Sequence, residues 1–396
     1  MSDETKASAT VSDYLRWRGD LTFAQDGFNE VDNLLLCIIS YIKLENIPRL
    51  RSFDPKDAMP MGDVCRLLTE EDEQLGLSTL DYIPLMRQAA ETARFREVSL
   101  FALESLHDED RQMQFAAVSF LLPDGSVYAA YRGTDMTIVG WQEDFNMSFL
   151  SAVPAQVKAA EYAGAVARAC PRRALRIGGH SKGGNLAAWA AVHLEEKLQR
   201  KRLIAAYNND GPGFSRDLVD TPSYQAVADR LFTYIPASSI VGVLLEHAED
   251  YEVVDSTARS IMQHEPLSWC VEGPRFVHLG QRSQLGQLSD GVLREWIGSM
   301  SSREREQFSR AFFDILSRGG RTKTLEDLRS GGLAAGAALI REYAGADEEK
   351  KKIISEIFRR LAVDVKDELM KAAGAGVRRA GETILATGQA IADLRK

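Results

Sequence analysis

At 396 residues, 45% hydrophobic and 27% charged, the chain has ordinary globular composition and exceeds the usual size of one core, so a large core with an appendage is expected. Its 57 acidic and 48 basic residues give a net charge of −9, which excludes a global field attracting nucleic acid or an anionic membrane. Four scattered cysteines, an N-terminus unlike a signal peptide and no run of eighteen apolar residues predict reduced thiols and a soluble, cytoplasmic protein without a transmembrane segment.

Residues 1–24 are polar at first and are expected to be loose, whereas Glu30 to Ile42 is dense enough in apolar side chains for a buried helix. Met61 to Phe95 suggests broken helix. From Gln114 two β-rich runs, 115–122 and 127–131, flank Pro123-Asp124-Gly125-Ser126, which is a hairpin signal. A helical stretch over 154–170 then leads to a short strand at 174–178, a Gly-rich turn, and a small-residue helix from Asn185. Further strands are expected at 203–208 and 231–235. Strands alternating with helices predict an α/β fold, a mainly parallel sheet with helices on both faces. The core is assigned to 25–299, and 300–396 to a charged, helical appendage. Its Ala/Gly patches, such as Gly331 to Ile340, suit helix–helix packing and make self-association through this region an expectation.

Within the Gly-rich turn, Gly179-His180-Ser181-Lys182-Gly183 fits G-x-S-x-G. The glycines permit a sharp strand-to-helix turn that leaves the serine exposed above the sheet, and the predicted strand and helix stand on either side of it. Ser181 is therefore the candidate nucleophile. The Lys182 N–H, at the start of the next helix, is the natural first donor to a developing oxyanion. The bland alternative is a Gly-rich turn capped by a serine.

Four ordered segments carry a wider likeness: Tyr131-Arg-Gly-Thr-Asp with Trp141 and Asp144-Phe145; Gly178 to Ala187; Asn208-Asn-Asp-Gly-Pro-Gly-Phe; and Gln263-His-Glu-Pro-Leu-Ser-Trp. Over roughly residues 25–275 the sequence resembles the class 3 lipase branch of the α/β-hydrolases, and more closely a bacterial family of uncharacterised lipase-like proteins. The resemblance implies an α/β-hydrolase fold and a cofactor-free, metal-free serine hydrolase of lipase or esterase type, acting on a small-molecule or lipid ester. It also implies an oxyanion-hole amide at Thr134; a turn pairing Arg132 with Asp135 is the structural alternative. The sequence departs from class 3 lipases where their catalytic aspartate should stand, because Tyr234-Ile-Pro-Ala-Ser-Ser offers only Ser238 and Ser239 there, and a hydroxyl cannot replace a fixed carboxylate.

Asp210 is the substitute acid, because it follows the strand after the nucleophile helix, where site residues of open α/β sheets gather; a simple turn cap is the alternative. His264 is the candidate base by elimination among six histidines. His180 is expected to point away from the site, His193 lies three turns down the helix, His247 stands in an acidic stretch read as helix and loop, and His278 alternates with apolar residues as a strand histidine. The order Ser181, Asp210, His264 is the one expected of the fold. Rival readings are a non-catalytic scaffold of the same fold and a thioesterase or peptidase with the same triad. A metal site at His247, Glu249, Asp250 and Glu252 is the weakest alternative, since one histidine among acids is usually a solvated surface.

Overall fold

The computed structural model describes residues 8–69, 82–108, 113–134, 152–239, 241–247, 249–283 and 300–318, with a few isolated positions besides. The chain divides into two compact units: residues 1–108, 113–133 and 154–282, and residues 109–112, 134–153 and 283–396.

In the first unit, α1 (Val11–Arg18) occupies part of the segment expected to be loose. It forms because its apolar spacing places Val11, Tyr14 and Leu15 in the core, and the Tyr14 hydroxyl donates to Asp32 at 2.8 Å. α2 (Glu30–Ile39) starts where the Asn29 side chain accepts the N–H groups of Val31 and Asp32, while Asp32 returns a carboxylate to the Asn29 N–H; this reciprocal cap satisfies donors that the first helical turn leaves open. Asp32 is fully buried and meets the equally buried Arg94 at 2.5 Å, so the charge that starts the helix is paired. α3 (Met61–Leu67) and α4 (Ile83–Glu91) fill the stretch read as broken helix, of which 70–81 lies outside the described residues.

The sheet, nine-stranded among the described residues, comprises β1 (Met59–Pro60), β2 (Ser99–Asp108), β3 (Met113–Leu121), β4 (Val127–Tyr131), β5 (Leu175–His180), β6 (Leu203–Asn209), β7 (Leu231–Pro236), β8 (Tyr251–Val254) and β11 (His278–Leu279), hydrogen-bonded in that order. β9 (Val271–Glu272) and β10 (Arg275–Phe276) form a separate two-stranded ribbon. β1 to β4 run antiparallel to their neighbours, β4 to β8 are parallel, and β11 closes the edge antiparallel. The result is an α/β fold with a mixed sheet and a parallel centre. The β3–β4 hairpin turns at Gly125 with φ of +83°, and the Asp124 carboxylate accepts the Ser126 N–H at 2.9 Å, so the Asp-Gly pair sets the register Leu121 opposite Val127.

β2 and β8 are additions to the expected strands. In β2 the pairing slips between Phe101 and Glu104 and Ala102 has φ of +53°; this bulge breaks the period-two pattern by which a strand is recognised. β8 lies in the acidic stretch read as helix and loop, and only Val253 and Val254 of its four residues are buried.

α5 (Pro154–Ala169) and α6 (Lys182–His193) cover one face of the sheet and pack on each other, while α2 covers the opposite face. β5 shows why. Successive strand residues point to opposite faces, and a Cβ on Gly178 would collide with the Tyr128 hydroxyl and Asn33 of α2, whereas a Cβ on Gly179 would collide with Gly183 of α6. Both helices approach β5 closely because neither position carries a side chain.

The edge strand also carries a pH-sensitive tie. His278 places Nε2 2.7 Å from Glu30 and Nδ1 3.1 Å from Glu252. Partial burial works against its charge, but the two carboxylates override it and raise the His278 pKa above its ordinary value. A raised folded pKa means stabilisation that is complete below about pH 6.5 and fades as the pH rises through the folded value. His278→Gln is therefore expected to flatten the dependence of Tm on pH above about pH 6.5, measured by thermal melts. A variant curve parallel to that of the wild type would contradict this assignment.

In the second unit, α7 (Ser302–Arg318) is amphipathic, with Phe308 and Ala311 buried, and the Ser309 hydroxyl donates to Asn146 at 2.8 Å. Apart from a few isolated positions, the remainder of the expected helical appendage, including Gly331 to Ile340, lies outside the described residues, as do the motif residues Asp135, Trp141, Asp144 and Phe145.

Candidate active site

The parallel strands β5 and β6 end side by side, and each is followed by a residue with unusual backbone. Ser181 has φ of +59° and ψ of −135°, and Asp210 has φ of +53°. Positive φ is sparsely populated for residues with a Cβ, and such conformations collect at functional sites where the surroundings enforce them. At Ser181 the enforcement is visible: its N–H donates to the Asn209 carbonyl at 2.9 Å, continuing the ladder, while its own carbonyl accepts the Gly184 N–H at 2.8 Å, starting α6. One residue thus belongs to a strand on one side and a helix on the other.

The structure brings Ser181, His264 and Asp210 into one hydrogen-bonded line. His264 Nδ1 is 2.6 Å from Asp210 Oδ2, and Nε2 is 3.0 Å from Ser181 Oγ. A carboxylate only accepts, so Nδ1 carries the proton; in the neutral ring Nε2 is then the acceptor for the serine hydroxyl. Asp210 is fully buried and receives two further donors, the Ser239 hydroxyl at 2.5 Å and the Gly242 N–H at 3.0 Å. Three donors to one buried carboxylate fix its orientation and compensate its desolvation. Ser239 stands in the stretch where class 3 lipases place their acid. Its hydroxyl supports the carboxylate that comes from the neighbouring strand, a role that its position beside Pro236 gave no means of reading.

His264 ends a 3₁₀ turn, Ser260–His264, held from two sides: the Ser238 N–H donates to the Gln263 side chain at 2.7 Å, and the Trp269 indole N–H to the Gln263 carbonyl at 3.0 Å. His180 departs from expectation. Its side chain does not point away; it packs on the His264 ring, with centroids 4.6 Å apart. The other histidines are engaged elsewhere: His193 stacks on Trp189, and His247 meets Glu249 at 3.2 Å and the Gly242 carbonyl at 2.7 Å. Glu249 is also bonded to Thr233 and Tyr224, and no metal-ligating group of three such residues occurs among the described residues.

Of the expected oxyanion donors, Lys182 is buried at the N-terminus of α6, and its Nζ donates to the Gln114 carbonyl at 2.9 Å. Thr134 is half-buried directly after Gly133. Arg132 donates to the Ser40 and Ile42 carbonyls at 2.7 and 3.0 Å and pairs with Glu45 at 3.2 Å. All four cysteines are free thiols, and no helix among the described residues is long and apolar enough to cross a membrane.

Fold and site together define an α/β protein that holds a serine and a buried aspartate just beyond the carboxyl ends of adjacent parallel strands, in line with a histidine from a later 3₁₀ turn. The chain belongs to the Mbeg1-like family, whose model matches residues 89–314, more than half of the 396 residues. Among solved structures it is similar to the native Rhizomucor miehei lipase propeptide complex, with 17% identity over 44% of this chain and 72% of that chain and a TM-score of 0.33. No curated protein matches the sequence.

Proposed function

We propose that the protein is a serine hydrolase of α/β-hydrolase type that cleaves a carboxylic ester, of small-molecule or lipid origin, through an acyl-enzyme. The observation that carries this reading is the unbroken line from Ser181 Oγ through His264 to Asp210, at 3.0 and 2.6 Å. Ser181 Oγ attacks the acyl carbonyl while its proton passes to His264 Nε2; the tetrahedral intermediate collapses as that proton goes to the leaving alkoxide, and water repeats the sequence on the acyl-enzyme. Asp210 holds the required tautomer and stabilises the imidazolium. The amide of Lys182, at the N-terminus of α6, takes the oxyanion. The strained backbone at Ser181 supports this role, because it lifts Oγ clear of the strand and leaves it half-buried rather than sealed.

Treatment of the full-length protein with a fluorophosphonate, followed by peptide mass spectrometry, tests the reading. Stoichiometric labelling of Ser181 is expected. A folded protein that takes no label would rule it out.

A further inference from the structure

Behind the His264 ring lies a second imidazole whose hydrogen bonds all run in one direction. His180, the last residue of β5, is 5% exposed. Its Nε2 is 2.8 Å from the His264 carbonyl oxygen; a carbonyl only accepts, so Nε2 carries the proton and Nδ1 of the neutral ring is an acceptor. Nδ1 faces the Tyr41 hydroxyl at 3.0 Å. The same hydroxyl lies 3.1 Å from the His180 carbonyl, so its proton is shared between two acceptors of one residue. The Tyr41 oxygen in turn receives the Gly133 N–H. Gly133 leaves no room for a side chain there, since a Cβ would collide with that hydroxyl.

We propose that Tyr41 and His180 are positioning residues that fix the main chain of the general base: a chain from Gly133 N–H through Tyr41 O–H to His180 Nδ1, and from His180 Nε2–H to the His264 carbonyl. The proposal rests on the serine-hydrolase reading. The side-chain bonds of His264 orient its ring, and the bonds of Gln263 hold the preceding residue. His180 is the group that grips His264 itself, and it is the covalent neighbour of Ser181. Nucleophile and base are thereby referenced to one point. The polarity survives turnover: burial first, and the positive charge of His264 second, hold the His180 pKa well below its ordinary value, so His180 stays neutral while His264 takes up a proton.

The test uses the full-length protein, with p-nitrophenyl butyrate kinetics, fluorophosphonate labelling rates, active-site titration and thermal midpoints for Tyr41→Phe, His180→Asn and His180→Gln. A glutamine amide reaches the position of Nε2 and still donates to the His264 carbonyl, whereas an asparagine amide stops short of it. His180→Asn is expected to lower kcat per titrated site and the labelling rate by about 10- to 100-fold, as displacement of a catalytic group by the order of an ångström does, with KM little changed. Glutamine should recover most of that loss, and Tyr41→Phe, which keeps the ring, should lose about 10-fold. A purely structural role would lower the thermal midpoint and the fraction of titratable sites but leave kcat per site intact. Variants with wild-type kcat per site, or a glutamine no better than asparagine, overturn the positioning role alone. A wild type that takes no label overturns the hydrolase reading and this role with it. If the His180 variants do not fold, the rate of Tyr41→Phe decides.

Discussion

Ser181→Ala is expected to remove fluorophosphonate labelling and to lower ester turnover by about 10⁶-fold, the scale on which loss of the nucleophile disables a serine hydrolase. Alanine is a fair probe here. It keeps a Cβ at the same strained φ of +59°, and it keeps the backbone bonds to Asn209 and Gly184 that define the turn, so only the hydroxyl and its bond to His264 are lost. The thermal midpoint should therefore stay close to that of the wild type while activity vanishes. Turnover of p-nitrophenyl esters by a purified Ser181→Ala protein, above the rate of a mock preparation, would place the chemistry elsewhere and remove the basis for the roles assigned to His264 and Asp210.

Asp210→Asn is the second large effect, an expected loss of about 10⁴ in kcat, which is the cost of a misoriented tautomer in such triads. The amide has one accepting oxygen where the carboxylate has two, and three donors converge on this site from Ser239, Gly242 and His264. If the amide oxygen takes the Oδ1 position and serves Gly242, the N–H₂ stands at the Oδ2 position facing both Ser239 and His264 Nδ1, and it drives the histidine proton to Nε2, where that nitrogen can no longer accept from Ser181. Steady-state kinetics at neutral pH, with Glu246, Asp250 and Asp255 substituted in parallel, checks the assignment. A near-wild-type Asp210→Asn beside a severe loss at one of the other three would move the acid and leave the serine in place.

Much of the parallel centre was legible because its signals are short-range. The helix–strand–turn–helix order around Ser181 needs only small residues, an apolar strand and the glycines, and β5 and α6 lie where those signals put them. The Asp-Gly turn likewise announces the β3–β4 hairpin. β2 was missed because a bulge at Phe101 to Glu104 destroys its alternation, and β8 because half of it is exposed in an acidic stretch. The helix at Val11–Arg18 was read as loose because its burial comes from Asp32 and the core around it, partners that lie outside the local window.

The candidate site divides the same way. The sequence by itself determined the strand-to-helix turn that carries Ser181, because steric permission for a tight turn is a property of adjacent residues. It left Asp210 as a choice between a turn cap and an acid, and it reached His264 by elimination and resemblance. Only the tertiary structure decided that Asp210 faces His264, that Ser239 and Gly242 close around the carboxylate, and that His180, expected to point away, turns toward His264. These contacts join residues separated by 29 to 84 positions. They depend on the register of β5, β6 and β7 and on how the 258–269 loop is tied down, and such long-range hydrogen bonds have no signature in local spacing.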